Sequence, residues 1–191
     1  MPSKKNAALD CANEIRSVVA ALDPNDPNFG SRLADAARQL IEAPGFESLG
    51  ARYQANHTQD AKYLYYDGQL SIVTAKVPAG AVIPPHDHGV WEAMVTINGG
   101  LRHTVYERKD DGSKSGYAEL SPIDDRVLKR GDLAMVAPPS DIHGFKSEGG
   151  DCLFMAIVGG EYKAERTYYN LETKSCIVMT PKERRERPAN R

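Results

Sequence analysis

The sequence lacks the features that mark several large protein classes. It has only three cysteines, Cys11, Cys152 and Cys176, odd in number and far apart. A disulfide framework is therefore not expected, and a reducing, cytoplasmic setting is. No sign of charge dominates: 24 Lys and Arg stand against 26 Asp and Glu, a formal charge of −2. That balance gives no basic footprint for a nucleic acid partner. No apolar run approaches the length of a membrane span, so no membrane partner is expected. The opening Met1-Pro2-Ser3-Lys4-Lys5 leads into Asn6-Ala7-Ala8-Leu9-Asp10 rather than an apolar signal core, and no export is expected. Internal repeats and low-complexity segments are also missing. What is present is ordinary globular composition, 41% hydrophobic and 26% charged over 191 residues, enough chain for one domain with a real core.

Two helical patterns come first. Ala8, Cys11, Ala12, Ile15, Val18, Val19 and Leu22 recur at three- and four-residue steps, as on one face of a helix. That run stops at Asp23-Pro24-Asn25-Asp26-Pro27. Leu33, Ala36, Ala37, Leu40 and Ile41 form a second run with Ser31 as its expected cap, ending at Ala43-Pro44-Gly45. After Ala61 the texture changes to short runs rich in Val, Ile, Tyr and Thr, at 63–66, 70–77, 90–97, 101–108, 117–120, 126–128, 133–136, 152–158, 166–171 and 176–179. Glycine-bearing turn signals separate them, among them Asn98-Gly99-Gly100 and Glu148-Gly149-Gly150-Asp151. Many short strands with regular turns predict an antiparallel sandwich or barrel. The expected layout is a helical segment over 1–60 packing on a barrel over 61–180, then a solvated polar tail over 181–191.

Three histidines carry the chemistry. His86-Asp87-His88 follows Pro84-Pro85, and Glu92 comes four residues later. On a strand, alternate side chains share a face, so His86, His88 and Glu92 point the same way. Two imidazoles and a carboxylate inside a barrel are costly without a partner, and a metal ion supplies one. The stretch from Lys129 to Pro139 reads as a turn, an apolar strand and a proline corner, after which Ser140-Asp141-Ile142-His143 re-enters a strand. That path brings His143 toward the same interior. Nitrogen and oxygen donors without thiolate suit Fe(II), Mn, Ni, Cu or Zn. Glu92 reads either as a metal ligand or as an acceptor that orients a histidine.

The pattern Gly80-x5-His86-x-His88-x3-Glu92-x6-Gly99 matches the first cupin motif at every fixed position. Gly131, Pro138 and His143 match the second motif, with one extra residue before the proline, Ser140 for its glycine and Ser147 for its asparagine. The resemblance spans 70–158. It implies a mainly β fold, a double-stranded β-helix or small jelly-roll barrel, holding one metal through His86, His88, His143 and Glu92. Within the cupins, His-Asp-His-x-x-Trp, the later Asp-Ile-His and the leading helices resemble the cysteine dioxygenase group, including mercaptopropionate dioxygenases. That likeness implies Fe(II), a small anionic substrate and O2. The chain departs from the group in lacking its Ser-x-His-x-Tyr run, since Phe154-Met155-Ala156-Ile157-Val158-Gly159 stands there. It also offers only Arg52-Tyr53 or Lys62-Tyr63 where the group has a substrate-binding arginine.

Other candidates are more open. Hairpin register across Asn98-Gly99-Gly100 puts His103 on the face of His88 and Glu92, as an acid–base or substrate contact or as a hydrogen-bonded core histidine. Tyr65 stands near the expected barrel mouth as a candidate substrate contact, or as strand packing. His57 reads as solvated, Cys152 as a small core residue, and Trp91 as packing under the leading helices. The expected function is an Fe(II)-dependent dioxygenase. A redox-neutral lyase or isomerase using the metal as a Lewis acid, and a non-catalytic binding protein, are the alternatives. A homo-oligomer is compatible with an exposed barrel edge.

Overall fold

The computed structural model describes residues 4–46, 61–160 and 162–187. His57 and the Arg52-Tyr53 pair lie outside the described residues. Two helices lead, α1 (Lys4–Ala21) and α2 (Phe29–Ile41). The stripe Cys11, Ala12, Ile15 and Val18 on α1 is buried, as are Phe29, Leu33, Ala36, Ala37 and Leu40 on α2. The second helix begins earlier than its apolar spacing predicts. Asn28 is its N-cap residue, Asp26 accepts from the Asn28 amide at 2.7 Å, and Ser31 instead donates back to the Asn28 carbonyl at 2.9 Å.

The strands are β1 (Lys62–Tyr66), β2 (Ser71–Val77), β3 (Val82–His86), β4 (Glu92–Arg108), β5 (Leu120–Leu128), β6 (Leu133–Val136), β7 (His143–Val158), β8 (Arg166–Asn170) and β9 (Ser175–Met179). Every pairing is antiparallel. The ladder runs β1-β2-β7-β3-β8-β9, with β4 pairing β5, β6 and β7, and the strands wind as a double-stranded β-helix. The late half of β7 lies between β2 and the early half of β4, and its early half lies between β3 and the late half of β4. No helix among the described residues is long and apolar enough to cross a membrane.

Two expected turns fall inside long strands, the first as a bulge and the second where β7 steps five residues, from Glu148 to Leu153, against two on β4. Asn98-Gly99-Gly100 and Glu148-Gly149-Gly150-Asp151 both lie within continuous strands that pair from Glu92 opposite Val158 to Val105 opposite His143. Gly99 adopts φ +78°, and a Cβ there would run into the Asp151 carbonyl. The irregularity at Asn98 shifts the alternation by one residue. Met94 before it and Leu101 after it therefore share the barrel interior. The parity assigned to His103 holds, although the turn it was argued from is a bulge.

Strand alternation divides the core in two. Ile72, Ala93, Val95, Ile97, Met155 and Ile157 face the helices, while Val73, Ala75, Met94, Phe154, Ala156 and Val158 face the barrel interior. Arg130 fastens the layers, donating to the carbonyls of Ile97 at 2.6 Å and Ile41 at 3.1 Å. The C-terminal stretch differs from the expected solvated tail. Residues Pro181–Glu186 form α3, N-capped by Thr180 in a capping box with Glu183, and Pro181 is buried. The Thr-Pro-x-Glu pattern that starts this helix is the sequence signal for it.

Candidate metal centre

Register builds the site. His86 closes β3 directly opposite His143, the first residue of β7, and it also pairs with Tyr168 on β8. Side chains opposite one another in an antiparallel ladder share a face, so the imidazoles of His86 and His143 meet, with ring centroids 4.8 Å apart. His88 follows in the turn before β4. The alternating residue Asp87 points outward, accepting from the Thr167 amide at 3.1 Å and the Tyr169 hydroxyl at 3.1 Å. Asp141 locks the same turn from the other side, accepting from the amides of His88 at 3.1 Å and Gly89 at 2.6 Å. The aspartates hold the loop while the histidines turn inward.

His86, His88 and His143 are all buried, and one ligand atom from each lies within 4.8 Å of the others. His86 Nδ1 sits 2.9 Å from the Pro84 carbonyl, which can only accept, so Nδ1 carries the proton and Nε2 keeps its lone pair. His88 Nε2 lies 2.8 Å from His143 Nε2 and 2.8 Å from Glu92 Oε2. Glu92 Oε2 is also 3.6 Å from His143 Nε2, and it has no hydrogen-bond donor. His88 Nε2 can offer a single proton to one of these two neighbours, which leaves the other, the His143 nitrogen or the Glu92 oxygen, without a donor. A cation among these atoms removes that conflict. The donor set, imidazole nitrogens with one carboxylate oxygen, fits a divalent metal of the Fe, Mn, Ni, Cu or Zn group. Burial first, and then neighbouring imidazoles, holds His86 and His143 well below the usual histidine range. Both are thus neutral and able to ligate.

Two further buried side chains support these. Tyr162, just after β7, donates its hydroxyl to Glu92 Oε1 at 2.8 Å, and burial raises its own pKa well above the ordinary value. Sequence reasoning missed Tyr162. It follows Gly159-Gly160 outside any strand pattern, and nothing local separates it from the other tyrosines. His103 is the second. Its Nε2 lies 2.8 Å from His143 Nδ1, on the far side of His143 from the His88 contact, and burial pushes its pKa down to about 4. When His143 ligates through Nε2, its proton sits on Nδ1 and His103 Nε2 is the neutral acceptor that takes it. Among its two readings, the contacts favour the hydrogen-bonded core histidine over the acid–base group.

Tyr65 is not at the site. Its ring packs with the helix-side core, and its hydroxyl accepts from Arg16 at 2.9 Å and donates to Asp67 at 2.9 Å. The one-residue irregularity between Tyr63 and Tyr65 in the β1–β2 ladder turns it to the outer face, and Tyr63 packs against the barrel-side core instead. Trp91 stacks edge-on against Phe29 at 5.2 Å, under the helices as expected, and Cys152 is fully buried in the barrel core.

Above the histidines lies a cavity of about 270 Å³. Glu92, His86 and His88 line its floor, Val73, Ala75, Phe154 and Ala156 its walls, and Arg166 and Arg184 are also among its lining residues. The Arg166 guanidinium lies 4.6 Å from the Tyr162 ring centre. These arginines were not anticipated, because β8 and α3 follow the matched motifs.

No family model matches the chain, and no curated protein matches it. Solved structures resemble the barrel. KdgF from Halomonas sp. is 22% identical over 53% of this chain and 79% of its own, with a TM-score of 0.41. An uncharacterised double-stranded β-helix protein from Klebsiella pneumoniae is 16% identical over 61% and 89%, also at 0.41. A cupin superfamily protein from Desulfitobacterium hafniense is 14% identical over 58% and 84%, at 0.40.

Proposed function

We propose that the chain is a mononuclear non-haem metal enzyme, an Fe(II)-dependent dioxygenase acting on a small anionic substrate with O2. The observation that carries this reading is the convergence of His88 Nε2, His143 Nε2 and Glu92 Oε2 at 2.8–3.6 Å, next to a largely apolar cavity that His86, His88 and Glu92 line. His86, His88, His143 and Glu92 hold the metal. It supplies Lewis acidity and, as Fe(II), the electron donation that O2 chemistry requires. The chain's own residues do the rest. Tyr162 holds the Glu92 carboxylate, His103 holds His143, and the Val73, Ala75, Phe154 and Ala156 walls exclude water from the reacting centre. Arginines at the cavity favour an anionic substrate.

A redox-neutral lyase or isomerase is the second reading, favoured by the Tyr162–Glu92 hydrogen bond, which puts a proton-carrying hydroxyl beside the metal position. Elemental analysis of purified protein, beside His86→Ala and His143→Ala variants, is the first test. Near-stoichiometric iron that both variants lose, with oxygen uptake on a panel of small thiol, enolate and hydroxy acids, is the expected result. Turnover under strictly anaerobic conditions would transfer the proposal to the second reading. Full metal occupancy in both variants would overturn the site itself.

A further inference from the structure

The C-terminal helix closes over the cavity in a way that its own stability does not explain. A six-residue helix is far below the length, about 12–15 residues, at which isolated helices become even marginal. Its contacts must therefore hold it. They are the capping box, in which Thr180 N donates to Glu183 Oε2 at 2.7 Å and Glu183 N to Thr180 Oγ1 at 3.2 Å, the buried Pro181, and one bond from Arg184 Nη2 to the Val82 carbonyl at 3.1 Å. Docking by so few contacts is easily shifted by a ligand.

The charge at this contact is unmatched. Arg184 loses solvent on docking, and burial lowers its pKa. Its guanidinium lies 5.9 Å from the Tyr168 ring, and Tyr168 in turn stacks on His86 at 5.5 Å with 22° between the rings. A second column runs beside it. Arg166 lies over Tyr162, and Tyr162 tilts against His88 at 4.9 Å. Arg166 Nε is buried without an acceptor. Among the described residues, no carboxylate forms an ion pair with Arg166 or Arg184. Among the described residues, Glu92 is the single acid lining the cavity, and Tyr162 engages it. Both arginines are half-buried, and a partly desolvated cation without an anion is unfavourable. The walls beside them are apolar, and the space of about 270 Å³ suits a small ligand.

We propose that α3 is a substrate clasp: Arg184 from α3 and Arg166 from β8 together bind the carboxylate of a small carboxylic acid whose apolar body fills the cavity, so that the ligand itself holds α3 down. This rests on the proposed enzyme function for its substrate but not for its geometry. The substrate class is a small monocarboxylate, and selection against neutral analogues lies in the clasp rather than at the metal.

Trypsin reads the docking directly, because Lys182, Arg184 and Arg185 lie in α3. The full chain is digested, metal-loaded and metal-free, with butanoate, butanamide or inorganic phosphate as the probe. At about ten times its Kd, a ligand bound only by the docked form cuts the undocked fraction about tenfold. Butanoate should therefore slow cleavage after Lys182 and Arg185 by about that factor, and butanamide should not. Arg184→Gln, checked for fold by near-ultraviolet circular dichroism, should bind butanoate about tenfold more weakly and lose the protection. Arg184→Lys should keep part of it. Equal protection by butanamide, or by phosphate without butanoate, would overturn the clasp. So would wild-type butanoate affinity in Arg184→Gln, which would leave the carboxylate on the metal and the proposed enzyme function intact. A chain that takes up no metal would overturn that function, while the metal-free digest still tests the clasp.

Discussion

His103 offers the sharpest test of how the centre is assembled. For His143 to present the lone pair of Nε2 toward His88 and Glu92, its proton must sit on Nδ1, and the group that receives it is His103 Nε2 at 2.8 Å. Replacing His103 with leucine keeps an apolar side chain in this buried position but removes the acceptor. The His143 N–H is then buried and unpaired, at a cost of about 1–3 kcal/mol. It escapes that cost by moving its proton to Nε2, which blocks the ligand atom. Either route weakens metal binding, and loss of such an orienting partner lowers metal affinity by about 10–100-fold. That range corresponds to about 1.4–2.8 kcal/mol at 1.4 kcal/mol per tenfold, consistent with the hydrogen-bond cost. The assay is competition for Zn²⁺ or Co²⁺ against a chromophoric chelator, with urea unfolding of the metal-free protein as the control for fold. His103→Gln restores an amide oxygen that can accept the same proton, and should recover part of the affinity. Unchanged affinity in His103→Leu, or equal losses in the leucine and glutamine variants, would refute the positioning role.

Four other outcomes follow from the same geometry. Tyr162→Phe removes the donor 2.8 Å from Glu92 Oε1; a hydrogen bond to a carboxylate contributes about 1.5–3 kcal/mol, so chelator competition should show at least tenfold weaker metal binding with the fold retained. Tyr65→Phe loses only contacts to Arg16 and Asp67 at the surface, a change within about 1 kcal/mol in urea unfolding, with metal content unaltered. Phe29→Ala empties a fully buried position beside Trp91 and should cost about 3–5 kcal/mol, read by the fluorescence of the single tryptophan. Acid should destabilise the metal-free protein. His103 is held at about 4 against the ordinary 6.5, so between those values the unfolded chain binds a proton that the folded chain refuses. Stability is full above pH 6.5 and falls toward pH 4 by up to about 1.4 kcal/mol per pH unit for each such histidine. His86 and His143 act in the same direction, and urea midpoints at pH 7.5 and 5 measure the loss.

The site was legible where chemistry and periodicity coincide. His86, His88 and Glu92 lie close enough in sequence for strand alternation to put them together, and the apolar steps of Cys11, Ile15 and Val18 define the face of α1 that is buried. Long-range placement was less legible. Asn98-Gly99-Gly100 reads as a turn because glycines tolerate positive φ, but a bulge needs the same property, and only the partner strand decides between them. Tyr65 and Tyr63 differ in face through one irregular position in the β1–β2 ladder, which no local residue announces. Tyr162, Arg166 and Arg184 reach the cavity from the segment after β7, from β8 and from α3 respectively. Their roles depend on how the chain closes over the barrel, and that information is not in any short window.

Glu92 ties the two proposals together. If Glu92 joined the three imidazoles in holding a metal, it would take a place there that a substrate could otherwise use. Tyr162 holds Glu92 at Oε1, so swinging it out breaks a buried hydrogen bond at about 1.5–3 kcal/mol. A substrate that must chelate the metal through two atoms, and still share it with a co-substrate, needs that displacement. A substrate whose carboxylate is taken by Arg166 and Arg184 does not, since only one of its atoms has to reach the metal. The clasp and the fixed carboxylate thus favour the same substrate: one anchored at its anionic end by arginines and presented at its other end to the centre. If chelating thiol acids outpace simple carboxylates bearing a single further donor atom in the oxygen-uptake assay, Glu92 is mobile and this coupling fails. If the order is reversed, and Arg184→Gln raises KM for the preferred acid while leaving metal content unchanged, substrate anchoring and metal ligation are separate tasks carried by opposite ends of one cavity.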